Sequence, residues 1–195
     1  MIKIGITGGI GSGKTFISSV IEHIGYPVFY SDKQAKIILD TDQEVKSEMI
    51  DLLGNEIYNF NKLNRPLLSN LLFSNKSLIE KVNSIVHPKV RLKFEEWANL
   101  KNSSLVFNEA AILFETEAYK KFDATILVVA NQDVRIERVE VRDGLTKEQI
   151  ISRINNQWSD EEKLNLASFV ISNNGNEPIL YQIENIIDQL IKVSN

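Results

Sequence analysis

The sequence predicts an α/β fold, in which a parallel β-sheet lies between two layers of helices, with an added helical insertion. Short apolar segments with strand character alternate with amphipathic helices, as in parallel sheets covered on both faces. The alternation is interrupted from residue 32 to about residue 100, where apolar residues recur with helical spacing. The composition, 43% hydrophobic and 25% charged, is ordinary for a globular protein and excludes a disordered chain or a coiled coil.

The chain opens with a predicted strand, helix and strand. Residues 1–7 are apolar and rich in isoleucine, which is typical of a buried strand. Apolar residues then occupy one face of a helix predicted over 14–24, and Gly25 is placed to end it. Residues 28–30 form the second strand, which completes a βαβ unit.

The insertion is predicted to be helical throughout. Its apolar stripes have helical spacing, and one stripe precedes Pro88 while another follows it. The segment Asp51-Leu52-Leu53-Gly54 fits the D-x-x-G pattern of GTP-binding switches. It ends a helical stripe rather than a strand, so we interpret it as a helix C-terminus and do not expect a GTPase.

Strands and helices alternate again after the insertion. Strands are predicted at 105–107, 125–130 and 169–171, and helices at 132–142, from Thr146, and from 179 to 190. Thr146 opens its helix with a capping box that ends at Gln149. The predicted organisation is a nucleotide-binding core (1–31, 104–134 and 167–195), a helical substrate domain (32–103) and a helical lid (135–166).

Five of the nine glycines fall within the first thirteen residues, and residues 8–15 read G-G-I-G-S-G-K-T. This is the G-x-x-x-x-G-K-[ST] pattern of a phosphate-binding loop (P-loop), placed between a strand and a helix as that motif requires. Backbone N–H groups and the helix N-terminus would bind phosphate oxygens, Lys14 would contact the β- and γ-phosphates, and Thr15 would ligate Mg²⁺. The predicted fold is therefore a P-loop NTPase that binds ATP and Mg²⁺. The nucleotide contacts in this segment are assigned to Gly9, Gly11, Ser12, Gly13, Lys14, Thr15 and Phe16.

Two acids follow predicted strands, where open α/β sheets place their ligands. Asp32 could accept a proton from an acceptor hydroxyl and contact Mg²⁺, or it could be only the N-cap of the next helix. Glu109 could bind Mg²⁺ through water or position the acceptor, or it could be a solvated carboxylate at the start of a loop.

Three arginines, Arg135, Arg138 and Arg142, share one face of the predicted helix 132–142. They suit a lid that closes on ATP phosphates, but they also suit a solvated face paired with Glu137 and Glu140. A lone histidine before proline, such as His87, is more often a helix-end residue than a ligand.

Taken in order, these motifs resemble those of the dephospho-CoA kinases over nearly the full chain. The loop and the H-P pair at His87-Pro88 fit, as do Leu63-Asn64-Arg65 (L-x-R) and the ending 170–175 (I-x-N-x-G). Tyr30-Ser31-Asp32 aligns with a D-x-D segment whose first acid is replaced. The segment 109–115 aligns with D-x-P-L-L-F-E, with Glu109 for Asp and Ala111 for Pro.

The resemblance implies phosphoryl transfer from ATP to the 3′-hydroxyl of the ribose of dephospho-CoA. It implies Asp32 as general base and metal ligand beside Thr15, and Lys14 and Arg138 as catalytic groups. Arg142, Asn174 and Gly175 would bind the nucleotide. Asp32, Arg65, His87, Glu109 and Leu113 would bind the substrate.

The composition also limits the binding partners and the cellular location that the sequence predicts. The net charge of −4 makes a nucleic-acid partner unexpected, and no apolar run is long enough for a membrane span. The absence of cysteine excludes disulfides and fits a reducing compartment, so we expect a cytoplasmic enzyme. No exposed stripe predicts an oligomeric state. The alternatives are another P-loop nucleotide or small-metabolite kinase, and a nucleotide-regulated binding module, against which Asp32 argues.

Overall fold

A computed structural model of the chain describes residues 1–73 and 75–193. The chain divides into two compact units. The first unit comprises Met1–Tyr30 and Lys101–Asn195, and the second comprises Ser31–Leu100. In chain order the strands and helices are β1 (Ile2–Thr7), α1 (Lys14–His23), β2 (Val28–Tyr30), α2 (Ser31–Thr41), α3 (Gln43–Leu53), β3 (Tyr58–Asn59), β4 (Lys62–Leu63), α4 (Arg65–Leu72), α5 (Lys76–Asn99), β5 (Leu105–Glu109), β6 (Ala124–Val129), α6 (Gln132–Asp143), α7 (Lys147–Asn155), α8 (Asp160–Leu164), β7 (Phe169–Ser172) and α9 (Ile179–Val193). Short 3₁₀ turns lie at Asn55–Ile57 and Ala118–Lys121.

The first unit is built on a five-stranded sheet in the order β2-β5-β1-β6-β7, and each neighbouring pair of strands is parallel. β5 lies between β1 and β2, so Glu109 pairs in register with Ile6 on one side and Tyr30 on the other. All five strands therefore direct their carboxyl ends to one edge, where the loops that follow them meet.

Helices α1 and α9 pack on one face of this sheet. Ile17 and Ile21 of α1 join Ile183 of α9 and the strand residues Ile4 and Ile6 in one buried apolar cluster. These positions recur at helical spacing in the helices and at every second residue in the strand, and burying each such side chain contributes roughly 1.5–3 kcal/mol. The α/β class and the parallel sheet predicted from the sequence are confirmed.

The other face of the sheet packs against the chain that follows β5. A Cβ at Gly5 would lie 2.5 Å from Cδ2 of Leu113 and 3.4 Å from the ring of Phe122, so only glycine leaves room for both side chains. Leu113 is 2% exposed. α8 contacts β6 in this unit as well.

A buried ion pair joins α8 to the chain that follows β5. Lys163 is completely buried, and its Nζ lies 2.9 Å from Oε1 of Glu115, whose side chain is 15% exposed. Removing two charges from water is costly, and the cost is offset only while both partners are present.

We expect Lys163→Met to lower the free energy of unfolding by about 3–5 kcal/mol, because it leaves the Glu115 carboxylate buried without its partner. Chemical denaturation measures this change. Adding Glu115→Gln should recover part of the loss, since the unpaired charge is then gone. Lys120→Met, at an exposed pair with Glu117, is the matched control and should change stability by less than about 1 kcal/mol. A small loss in Lys163→Met would contradict the assignment of a structural ion pair.

The second unit is mainly helical and contains α2 to α5. Asp42 caps α3 by accepting from the N–H groups of Glu44 and Val45, and Asn64 caps α4. α5 continues through Pro88, because Val86 and Val90 on either side of the proline are buried with the rest of its apolar face. Packing outweighs the hydrogen bond that proline cannot donate.

The structure differs from the sequence prediction at a few boundaries. α1 ends at His23 rather than at residue 24, and β5 extends through Glu109 instead of ending at residue 107. The hairpin β3–β4 is missing from the prediction, because strands of two residues are too short to show a periodic pattern. In this hairpin Phe60 and Asn61 turn the chain with positive φ values of 46° and 63°. The capping box at Thr146 is confirmed, and Gly54 does end a helix.

The predicted lid residues 135–166 belong to the first unit and include most of α6, with α7 and α8. Within residues 1–73 and 75–193, no helix has both the length and the apolar character that crossing a membrane requires.

Candidate active site

The phosphate loop connects β1 to α1 and is held by the turn after β7. Asn173 donates from Nδ2 to the carbonyl oxygen of Ser12 at 2.9 Å, and this contact is buried. Gly13 has φ of 94°, and a Cβ there would collide with the same Nδ2. Glycine is therefore required at this position both by backbone conformation and by the closeness of Asn173.

Lys14 and Thr15 are the first two residues of α1, so they lie where the helix dipole and the unpaired N–H groups attract an anion. The Nζ of Lys14 donates to the carbonyl oxygen of Gly8 at 2.9 Å, which places the ammonium group across the loop. The loop, the helix end and the cation are the three elements that a triphosphate needs.

Glu109 is brought beside Thr15. The Oγ1 of Thr15 lies 3.4 Å from Oε2 of Glu109, which is only 7% exposed. Hydroxyl and carboxylate oxygens are the ligands that Mg²⁺ prefers, and Mg²⁺ usually takes only one or two carboxylates from a protein together with substrate phosphates. This donor pair therefore fits a magnesium ion at the carboxyl edge of the sheet.

Tyr30, at the position where the resemblance leads us to expect an acid, makes a different contact. Its hydroxyl donates to Oε2 of Glu22 at 2.6 Å. Burial, the hydrogen bond to Glu22 and the negative charges of Glu22 and Glu109 raise the pKa of Tyr30, so it is neutral at pH 7. Tyr30 therefore supplies a hydrogen-bond donor and not a second carboxylate.

Of the two predicted phosphate-binding arginines, the structure brings Arg138 to the loop. Its Nη1 donates to the carbonyl oxygen of Asn173 at 2.9 Å and would lie 3.7 Å from a Cβ on Gly13. Arg142 forms a two-pronged pair with Asp143, with both N···O distances 2.8 Å, and its side chain is 63% exposed. A phosphate contact by Arg142 stays a prediction.

The turn that contains the predicted nucleotide-binding residues Asn174 and Gly175 is ordered by Asn174. Its Oδ1 accepts from the N–H of Asn131 and its Nδ2 donates to Glu177, both at 2.7 Å. Hydrogen bonds from Asn174 lower the pKa of Glu177 to about 2. Gly175 follows with φ of 104°. These contacts shape the turn, while its contact with a nucleotide base stays a prediction.

Two further predicted site residues occupy contrasting surroundings. Phe16, in the first turn of α1, is 54% exposed, whereas the side chain of Leu113 is buried on the sheet face described above. Their roles in ligand binding stay predictions.

In the second unit, Asp32 and His87 are electrostatically linked. Asp32 lies in the first turn of α2, where a negative charge is favourable to the helix, and His87 lies on α5. Burial and the positive charge of Arg91 lower the pKa of His87, while the charge of Asp32 opposes that change. His87 is therefore a neutral imidazole at pH 7, able to hydrogen bond to a substrate without adding charge.

Arg65, the other predicted substrate residue of this unit, is already paired. Its Nη2 lies 2.6 Å from Oδ2 of Asp40 and also approaches the carbonyl oxygen of Lys36. The nearby Tyr58 has its pKa raised to about 12, chiefly by burial and then by the charge of Asp40. The Arg65 side chain is 45% exposed, so a substrate acid can still reach its guanidinium.

Residues that no motif indicated also shape the loop. Gln157 accepts a hydrogen bond from the N–H of Ile10, and Arg135 donates to the carbonyl oxygen of Ile10. Arg135 was visible only as one of three arginines on a helix face, and Gln157 is an isolated amide that no sequence pattern distinguishes.

The sequence is similar to dephospho-CoA kinases in two comparisons, with a family model and with individual proteins. A family model described as dephospho-CoA kinase matches residues 2–178. A dephospho-CoA kinase of Bacteroides fragilis (strain YCH46) is 42% identical over 187 residues, which cover 95% of this chain and 91% of the relative.

Solved structures agree with these sequence matches. TT1252 from Thermus thermophilus is 31% identical with a TM-score of 0.85, covering 100% of this chain and 98% of that one. Dephospho-CoA kinase from Campylobacter jejuni is 26% identical with a TM-score of 0.69, covering 99% and 98%. The P-loop kinase fold and the loop geometry thus coincide with sequence similarity over almost the whole chain, and we conclude that the chain belongs to the dephospho-CoA kinase family.

Proposed function

We propose that this chain transfers the γ-phosphoryl group of ATP to the 3′-hydroxyl of the ribose of dephospho-CoA, giving CoA and ADP. The observation that carries the donor half is the phosphate loop, with Lys14, Thr15 and Arg138 gathered at the N-terminus of α1. The family match over residues 2–178 supports the acceptor half.

The donor half works by position and charge. Backbone N–H groups of the loop and of the first turn of α1 bind phosphate oxygens, with Gly9, Gly11, Ser12, Gly13 and Phe16 as the contact residues. Lys14 stabilises charge on the β- and γ-phosphates, and Arg138 stabilises the charge that develops on the transferring group.

A magnesium ion fits the donor pair of Thr15 and Glu109, with Asp32 as a further predicted ligand. When bound, it would neutralise charge on the β- and γ-phosphates of ATP. The parallel register of β1 and β5 places the backbone of Glu109 beside Ile6, and its buried carboxylate lies 3.4 Å from the hydroxyl of Thr15 in the first turn of α1.

The acceptor half depends on a base. The carboxylate of Asp32 takes the proton of the 3′-hydroxyl as that oxygen bonds to the γ-phosphorus. The bond from the γ-phosphorus to the bridging oxygen breaks, and that oxygen leaves with ADP. His87 hydrogen bonds to the substrate as a neutral ring, and Arg65 binds an acidic group of it. Glu109 and Leu113 complete the proposed substrate contacts.

Residues 135–166 act as the lid in this proposal. Arg142 is largely exposed and is paired with its neighbour Asp143. A phosphate can replace that carboxylate when the segment closes on ATP, while Asn174 and Gly175 face the adenine.

The direct test mixes purified protein with ATP, Mg²⁺ and dephospho-CoA and identifies the product by liquid chromatography and mass spectrometry. We expect a product one phosphate heavier, identical in retention to CoA, and loss of turnover when a chelator removes Mg²⁺. The 3′-deoxy analogue of dephospho-CoA is the matched control and should give no product. Turnover of a nucleoside monophosphate or another small alcohol, with none of dephospho-CoA, would instead show a different P-loop kinase.

A further inference from the structure

Ile10, at the tip of the phosphate loop, is held through both of its backbone polar groups. Its N–H donates to Oε1 of Gln157 at 2.8 Å, and its carbonyl oxygen accepts from Nε of Arg135 at 2.8 Å. Gln157 follows α7 and Arg135 lies in α6, so both contacts come from the segment 132–164 and not from the sheet that carries the loop. One peptide of the loop is thus oriented by side chains distant in sequence.

The side chain of Ile10 is anchored to the same segment. It packs against a small buried cluster that belongs to α6 and α7 and is separate from the main core. The members of that cluster are Ile136, Val139 and Ile150, with Leu145, Ile151 and Ile154 partly buried around them. The loop therefore contributes one apolar residue to the core of the α6–α7 pair, and the two cannot separate without exposing it.

Arg135 is itself fixed in place. Its side chain is 8% exposed, and its Nη1 lies 3.2 Å from Oδ2 of Asp160. A Cβ on Gly9 would collide with its guanidinium, and a Cβ on Gly11, where φ is 78°, would lie 2.5 Å from its carbonyl oxygen. Arg135 thus packs along the outside of the loop from Gly9 to Gly11. A buried arginine is costly unless it is paired, and here Asp160 and the Ile10 carbonyl supply the pairing.

We propose that Arg135 and Gln157 are positioning residues for ATP, which act by fixing the Ile10 peptide and with it the direction of the neighbouring loop N–H groups. The inference rests on the proposed ATP site and adds to it a link between the loop and the α6–α8 segment. A loop N–H that points away from the phosphates would lose one hydrogen bond to the nucleotide, so the link acts on nucleotide affinity.

The test uses Gln157→Leu, which keeps the size of the side chain and removes the acceptor. We expect the Kd for ATP, measured by calorimetry, to rise about tenfold, the loss of one well-placed hydrogen bond to a charged group. We expect the KM for dephospho-CoA to stay within about twofold. Hydrogen exchange at the Ile10 amide, followed by NMR, should become about tenfold faster while exchange in β1 is unchanged, which a general loss of stability would not produce.

Three further variants sharpen the result. Arg135→Met should weaken ATP binding to a similar extent, and Arg135→Lys, which can still donate to the Ile10 carbonyl, should recover most of it. Gln132→Leu, at an exposed glutamine of α6, is the matched control and should bind ATP like the wild type. If the wild type binds ATP, and Gln157→Leu and Arg135→Met bind it with the same affinity, this inference is wrong while the proposed function stands. A wild-type protein that binds no ATP overturns the proposed function, and this inference with it.

Discussion

Replacing Asp32 with asparagine is expected to lower kcat by about 10²–10⁴-fold, the usual contribution of a general base. Asparagine keeps the size of the side chain but cannot take up the proton of the acceptor hydroxyl. The Kd for ATP should stay within about twofold, because the phosphate loop does not depend on this carboxylate. Steady-state kinetics with dephospho-CoA and calorimetry with ATP separate the two effects.

Asp51→Asn is the matched control, since Asp51 is an exposed acid on α3 of the same unit. It should leave kcat unchanged. An unchanged kcat in Asp32→Asn would remove Asp32 from the chemical step.

The same variant has a second, independent readout. The negative charge of Asp32 raises the pKa of His87 against burial and Arg91, so its removal should lower that pKa further. The chain has only two histidines, His23 and His87, which simplifies an NMR titration of the imidazole resonances. The resonances of His23, which lies on α1 in the other unit, serve as the internal reference. A rise in the pKa of His87 would contradict the electrostatic link on which its pairing with Asp32 rests.

Lys14→Met is expected to lower kcat/KM by about 10³-fold. The loss combines weaker ATP binding with loss of charge stabilisation in the transition state, for which one well-placed group contributes about 10²–10³ in kcat. The fold should tolerate the change, because the hydrogen bond from the Nζ of Lys14 to the carbonyl oxygen of Gly8 is not fully buried. Kinetics at varied ATP, with the unfolding midpoint measured in parallel, check both statements.

Lys120→Met again serves as control, because Lys120 is an exposed lysine of the same unit, paired with Glu117. It should keep full activity. Comparable activity in Lys14→Met and Lys120→Met would exclude Lys14 as a phosphate-binding group and, with it, the donor half of the proposed function.

Local sequence was enough to predict the parts of the site that depend on local geometry. The spacing of glycines with Lys14 and Thr15 specifies a strand-to-helix turn, since only glycine allows the backbone conformation at Gly13 and a helix start concentrates N–H groups. The alternation of strands and helices predicted the parallel sheet, and the sheet in turn placed Glu109 at its carboxyl edge.

Other features were not predicted, because their sequence signal is short or because packing in the folded structure outweighs it. The hairpin β3–β4 has strands of two residues, too short for any periodicity. His87 before Pro88 is interpreted from the sequence as a helix-end residue, yet α5 continues because apolar residues on both sides of the proline share one buried face. Tyr30 could be read only as a missing acid, since its contact with Glu22 depends on how α1 packs beside β2.

What this chain's residues specify on their own is the phosphate loop, the order of strands and helices, and the polar residues that end the strands. The folded structure decided which partners those groups have. Asn173 bonds to Ser12 across 161 positions and Gln157 bonds to Ile10 across 147. Lys163 likewise forms a buried ion pair with Glu115, a residue distant from it in sequence. Periodicity and motifs report only interactions between residues close in sequence, whereas these contacts form when packing of the sheet and its helices brings distant polar groups together and removes them from water.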